Sequence, residues 1–140
     1  MNFYTTKSFR QSISNLIKKP KEGYSSVIKD ICSALLSMPD NIIRDTNDRI
    51  LQTIEFRLVK LRLPNSGQHL PKANGFRLIY IVSLVKDEAF LLHVYPKRGP
   101  QGTLDLQDNE YKRLVQDFAN EYQECILHQV NIHDSLNEIE

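Results

Sequence analysis

Apolar positions in the first third of the chain recur at helical spacing. Phe9, Ile13, Leu16 and Ile17 form one stripe behind Ser8, a candidate N-cap, and Lys18-Lys19-Pro20 ends the run. A second stripe, Val27, Ile31, Ala34, Leu35 and Met38, opens at Ser25 or Ser26 and stops at Pro39. Ahead of both, residues 1–6 suit a short opening strand, and the polar residues 40–49 predict a loop.

From about Leu51 the period changes towards two. Val59, Leu61 and Leu63 fall on one strand face, with Lys60 and Arg62 together on the other. Residues 64–74 are a polar loop ending in the turn signal Asn74-Gly75. Residues 76–85 are apolar on both faces after Arg77, which predicts a central strand. Lys86-Asp87-Glu88 makes a hairpin turn, residues 89–95 return as the partner strand, and Pro96 closes it. After the loop Gly99-Pro100-Gln101-Gly102, Asp108 is a candidate N-cap for a helix over residues 111–130. Its stripe is Tyr111, Leu114, Val115, Phe118, Tyr122, Cys125 and Ile126. The end of the chain, from about His133, is expected to fray. The expected fold class is α+β: a small antiparallel β-sheet with two N-terminal helices and an additional C-terminal helix, in one domain over residues 1–140.

Composition adds boundaries. The 140 residues are 41% hydrophobic and 25% charged, which fits one globular domain with a core of its own. No apolar run approaches the roughly 20 residues that span a bilayer, and the first residues lack the pattern of a secretory signal. Cys32 and Cys125 both sit in apolar helical patterns, which predicts buried free thiols in a reducing cytoplasm.

Net charge is +1 and conceals an asymmetry. Residues 1–29 balance at +5, residues 30–56 at −3, residues 57–98 at +6 and residues 99–140 at −7. A basic middle suits a polyanion, because neutralising phosphates releases counterions. The acidic segment, residues 103–140, is a candidate to dock near the cationic edge and tune access to it. Its apolar stripe also fits plain cover for the sheet, with the acids in water.

Several chemistries find no support. There is no glycine loop for phosphate ahead of a Lys-Ser or Lys-Thr pair, no metal-ligand spacing around Cys32, Cys125, His128 and His133, and no serine in a nucleophile elbow. What stands out is cations on strands. In an antiparallel meander the ends of the Arg62 and Tyr95 strands meet the start of the Arg77 strand at one edge. Lys60, Arg62, Arg77, Lys97 and Arg98 therefore gather there, with His93 and Tyr95 in the last strand and Tyr80 in the central one. Such a patch binds a phosphodiester and stabilises the extra charge of its transition state. A lysine drawn out of water among arginines can also serve as a base. Cations on strand edges equally serve to solvate a sheet.

The run Val59-Lys60-Leu61-Arg62-Leu63, a polar loop, Gly75-Phe76-Arg77-Leu78-Ile79-Tyr80, a hairpin, then Leu91-Leu92-His93-Val94-Tyr95-Pro96-Lys97-Arg98 resembles the RelE/ParE superfamily of bacterial toxins. The resemblance covers roughly residues 1–100. It implies the toxin of a type II toxin–antitoxin pair: a cytoplasmic mRNA endoribonuclease, without metal or other cofactor, that inhibits translation at the ribosome. Its implied partners are messenger RNA, the ribosome and a cognate antitoxin protein, with no membrane. The family's chemistry activates a ribose 2′-hydroxyl against the adjacent phosphodiester and leaves a 2′,3′-cyclic phosphate. By the matching motifs, Lys60 is implied as general base or charge stabiliser, Arg77 as phosphate clamp, and Arg98 as transition-state stabiliser or leaving-group aid. Arg62 and Lys97 are implied phosphate contacts, and Tyr95 or His93 would stack on a base or shuttle a proton. The family's late tyrosine has no counterpart in residues 99–106, and Tyr111 lies further on. A gyrase-binding relative that cuts no RNA, and an inert module that only holds antitoxin carboxylates, are the competing expectations.

Overall fold

The computed structural model describes residues 1–45 and 49–139, the Arg49 side chain excepted. The opening strand β1 (Asn2–Thr5) leads into helix α1 (Lys7–Ile17). Thr6, not Ser8, caps that helix, its hydroxyl accepting the Phe9 N–H at 3.2 Å. Ser8 lies inside the first turn and donates instead to Asp117. Helix α2 (Val27–Ser37) follows, as its stripe requires. The loop expected over residues 40–49 contains a further short helix, α3 (Asp40–Arg44); residues 46–48 of that expected loop lie outside the described residues.

Four strands complete most of the sheet: β2 (Arg49–Gln52), β3 (Phe56–Leu63), β4 (Phe76–Ser83) and β5 (Glu88–Pro96). Helix α4 (Asp108–Glu124) is capped by Gln107 rather than Asp108, in a reciprocal arrangement with Glu110. It stops six residues short of the expected end at Val130. Cys125 adopts a left-handed conformation (φ 58°), so the chain turns and continues as β6 (His128–Asn131). The end expected to fray carries a last strand, β7 (Asn137–Glu138).

The fold is α+β, with a seven-stranded sheet in the order β2-β3-β4-β5-β1-β6-β7. Pairing is antiparallel except that β1 runs parallel to β5. Strand β4 is buried along its whole length because both sheet faces are covered, which accounts for its apolar sequence. On one face Phe76, Leu78, Tyr80 and Val82 pack with α1 and α2 through Phe9, Leu16, Ile31 and Leu35. On the other, Ile79, Ile81, Phe90 and Leu92 pack with Leu114 and Phe118 of α4. The helices thus cover both faces of the sheet.

Of the two thiols, Cys32 is buried as expected and Cys125 is exposed at the end of α4, where the helical pattern breaks. Among the described residues no helix is long and apolar enough to cross a membrane.

Candidate functional site

Side-chain alternation carries Lys60 and Arg62 of β3 to the α4 face, since Val59 and Leu63 are committed to the opposite core. Register then sets their neighbours. Arg62 lies opposite Arg77, which lies opposite Tyr95; one row further in, Lys60 lies opposite Ile79, which lies opposite His93.

His93 reaches this face through a β-bulge. Ile79 faces His93 while Tyr80 faces Leu91, so β5 holds one extra residue, Leu92. Leu91 and Val94 belong to the α1/α2 core, whereas Leu92 and Tyr95 belong to the α4 core. The His93 ring accordingly lies beside that of Tyr95, with centroids 6.0 Å apart. Burial pushes the His93 titration down; Glu110 of α4 opposes the shift and Arg113 adds to it.

The five expected cations meet different surroundings. Arg62 is exposed. Lys60 is partly buried and lies 3.6 Å from the Asp105 carboxylate. Arg77 is 5% exposed and faces its own approach loop, with Nη1 donating to the carbonyls of Lys72 (2.8 Å) and Phe76 (3.1 Å) and Nη2 to that of Ala73 (3.0 Å). Its charge is still felt at Tyr95. Lys97 donates to the Leu104 carbonyl at 2.7 Å, and its backbone N–H bonds the Gly75 carbonyl at 2.8 Å. Arg98 is exposed and donates through Nε to Asn74 at 3.0 Å.

Three supports hold this edge in place. Gly75 runs so close to the end of β3 that a Cβ there would sit 2.1 Å from the Leu63 carbonyl oxygen, so only glycine fits. The loop between β3 and β4 is pinned to α2 by Asp30, which accepts from the Ser26 hydroxyl (2.8 Å) and the Ser66 N–H (3.0 Å). On the other side, the buried Tyr24 hydroxyl donates to the Arg98 carbonyl at 2.8 Å and accepts the Gln101 N–H at 3.0 Å.

The residues sequence reasoning missed are Asp105 and the use made of Tyr111. Asp105 Oδ1 accepts from the Tyr111 hydroxyl (2.9 Å), the Tyr95 hydroxyl (3.3 Å) and the Leu106 N–H (2.8 Å). Partial burial alone would raise the Asp105 pKa. The Tyr111 hydroxyl, the Leu106 N–H, the Lys60 charge and the Tyr95 hydroxyl outweigh it and hold the carboxyl below its ordinary value. The phenols respond in the opposite sense. Burial and the Asp105 charge push Tyr95 up to about 12, and burial with the Asp105 hydrogen bond raises Tyr111 as well. Tyr111 was visible only as a stripe position. Asp105 sits in an aperiodic loop where no spacing rule singles it out.

No protein-family model, curated protein or solved structure matches this chain.

The chemistry of the site therefore rests on its geometry. One face offers an exposed cation (Arg62), a lysine in an ion pair, two phenols that keep their protons, and an imidazole that burial favours in its neutral form, while the exposed Arg98 stands beyond the end of β5, bonded to Asn74.

Proposed function

We propose that the chain is a RelE/ParE-type toxin that cuts messenger RNA without a metal, using the Lys60–Arg62–His93–Tyr95 face as its phosphodiester site. The observation that carries this reading is the pair of register rows, Arg62–Arg77–Tyr95 and Lys60–Ile79–His93, which set charge and proton-handling groups side by side on one face. Strands β3 and β5 flank β4 and so lie two strand spacings apart, about 10 Å, a span that a phosphodiester with its flanking riboses can bridge.

RNA carries its own nucleophile, so a catalyst has three tasks: to take the 2′-hydroxyl proton, to stabilise the added negative charge on phosphorus, and to protonate the departing 5′-oxygen. Neutral His93 is suited to the first. Lys60, Arg62 and Arg98 supply charge for the second, with Lys97 as a further phosphate contact. Arg77, held by three carbonyls, contributes a fixed positive charge behind Tyr95 rather than a free clamp. A phenol of Tyr95 or Tyr111 is a donor for the third. The 2′-oxygen bonds to phosphorus as the bond to the 5′-oxygen breaks, leaving a 2′,3′-cyclic phosphate and a free 5′-hydroxyl. The cognate antitoxin, in this reading, is a protein whose carboxylates cover the same cations.

The test is induction of the chain in cells without a partner gene, with mapping of mRNA 5′ ends. New cleavage sites within coding frames are expected, reduced at least tenfold by Arg98→Ala and by His93→Gln. Growth arrest with intact mRNA would move the activity to gyrase or another target. Neither arrest nor cleavage would leave a binding module.

A further inference from the structure

The segment joining β5 to α4 lies across the candidate site and is fastened on both sides of Asp105. Before it, the Thr103 N–H donates to the Pro96 carbonyl at 2.9 Å, and Lys97 Nζ holds the Leu104 carbonyl at 2.7 Å. After it, Leu106 is buried in the α4 core. The Asp105 side chain itself is 56% exposed, yet it points its Oδ1 into the site. That single oxygen meets the Tyr111 hydroxyl, the Tyr95 hydroxyl, the Leu106 N–H and, at 3.6 Å, the Lys60 ammonium. Several donors converging on one anionic oxygen is the arrangement a phosphate oxygen receives in a binding site.

Four other acids of residues 103–140 are engaged elsewhere. Asp117 accepts from Ser8, Glu121 accepts from the Lys7 N–H, Glu110 accepts from the Gln107 N–H, and Glu138 meets His128. Asp105 is the acid that reaches Lys60. Three of its donors, Lys60, Tyr95 and Tyr111, are residues the proposed function offers to RNA, and a phosphate cannot use them while Asp105 does.

We infer that Asp105 is a built-in competitor for the phosphate of RNA, and that the site opens when this side chain turns out to water. The inference rests on the face being an RNA site. Opening requires rotation of one exposed side chain, because the flanking segment keeps its own backbone and core anchors. The molecule then binds RNA with an affinity lowered by the fraction of time the site stands open.

The probe is a fluorescein-labelled 2′-O-methyl hexaribonucleotide, which has no free 2′-hydroxyl to attack, titrated against the full chain at low salt. Asp105→Asn is expected to bind it about tenfold more tightly than the natural chain, which corresponds to roughly one open molecule in ten. Asp105→Ser is expected to follow it, guarding against a fold defect peculiar to one variant. Glu124→Gln removes the same charge from the exposed end of α4 and is expected to stay within about twofold. In a Lys60→Met background the Asp105→Asn gain is expected to shrink to less than about threefold, because the contested cation is gone.

An Asp105→Asn affinity no better than that of Glu124→Gln overturns the inference, as does a gain undiminished by Lys60→Met. Absence of binding by every variant overturns it together with the RNA reading. Tighter binding by Asp105→Asn with no cleavage of natural RNA by either protein supports the competitor and removes the nuclease. Cleavage lost in Arg98→Ala without any Asp105 effect does the reverse.

Discussion

Tyr95 joins the core to the site within one side chain. Its ring is 4% exposed in the α4 core, and its hydroxyl donates to Asp105 at 3.3 Å. That bond survives only while the phenol keeps its proton, which makes it a pH sensor with a definite sign. The folded state holds the proton up to about 12, whereas an unfolded tyrosine releases it near its ordinary value of 10.0. Below the lower value both states are protonated and the stabilisation is fully present. Between the two the unfolded state alone ionises, so stability falls as pH rises, by at most roughly 2–3 kcal/mol across the window. Tyr111, raised too, adds to the slope. Urea midpoints followed from neutral pH into this alkaline range are expected to decline less steeply in Tyr95→Phe than in the natural chain. Identical slopes would mean that Tyr95 titrates normally. At the same scale, Gly99 shows how closely the edge is built. Its φ of +87° already excludes most residues, and a Cβ would lie 2.5 Å from the Tyr24 hydroxyl that holds the Arg98 carbonyl.

Elements divide into those the residue pattern dictates and those set by distant partners. The stripes of α1, α2 and α4, and the alternation that turns Lys60 and Arg62 to the same face, follow from periods of 3.6 and 2 and were legible. The His93 bulge was not, because an extra residue in β5 becomes visible only against its partner β4. Strand β6 was missed for a related reason: His128-Gln129-Val130-Asn131 has little apolar alternation and is a strand because β1 pairs with it. The site was legible as a set of cations and illegible as a set of contacts, since Asp105 meets Tyr95, Tyr111 and Lys60 only once α4 has been laid on the sheet. Helix α4 also holds the fold together. Phe118 packs within 4.8 Å of Phe90 and 5.7 Å of Phe56, ring centre to ring centre, and is 5% exposed. Phe118→Ala is expected to cost about 3–5 kcal/mol in guanidinium unfolding. A loss below about 1 kcal/mol would show the helix to be loosely held. A chain cut after Gly102 would bare the same apolar face, which makes point substitutions the better probe of the site.

At the scale of the molecule, the layers on opposite faces of the sheet are tied together beyond its edge. Glu121 of α4, 9% exposed, accepts the N–H of Lys7 at 3.0 Å, so a carboxylate sits against the positive end of α1. Glu121→Ala is expected to cost about 1–2 kcal/mol and to speed hydrogen exchange at the Lys7 amide ahead of the α1 interior. Unchanged exchange there would show that the layers are joined by the sheet alone. The sheet order has a temporal consequence of its own. Of the seven strands β1 is made before the others, yet its two neighbours are β5 and β6, with Tyr4 set beside Phe90 and Gln129. Every other strand pair joins consecutive segments. As the chain emerges during synthesis, this strand has no partner until β5 has followed, and its second neighbour, β6, comes later still. Contacts of such long sequence separation slow folding and leave a strand edge unpaired meanwhile. The nascent molecule thus completes its central sheet late, and its cationic face acquires a fixed shape only after the segment that covers it has been made.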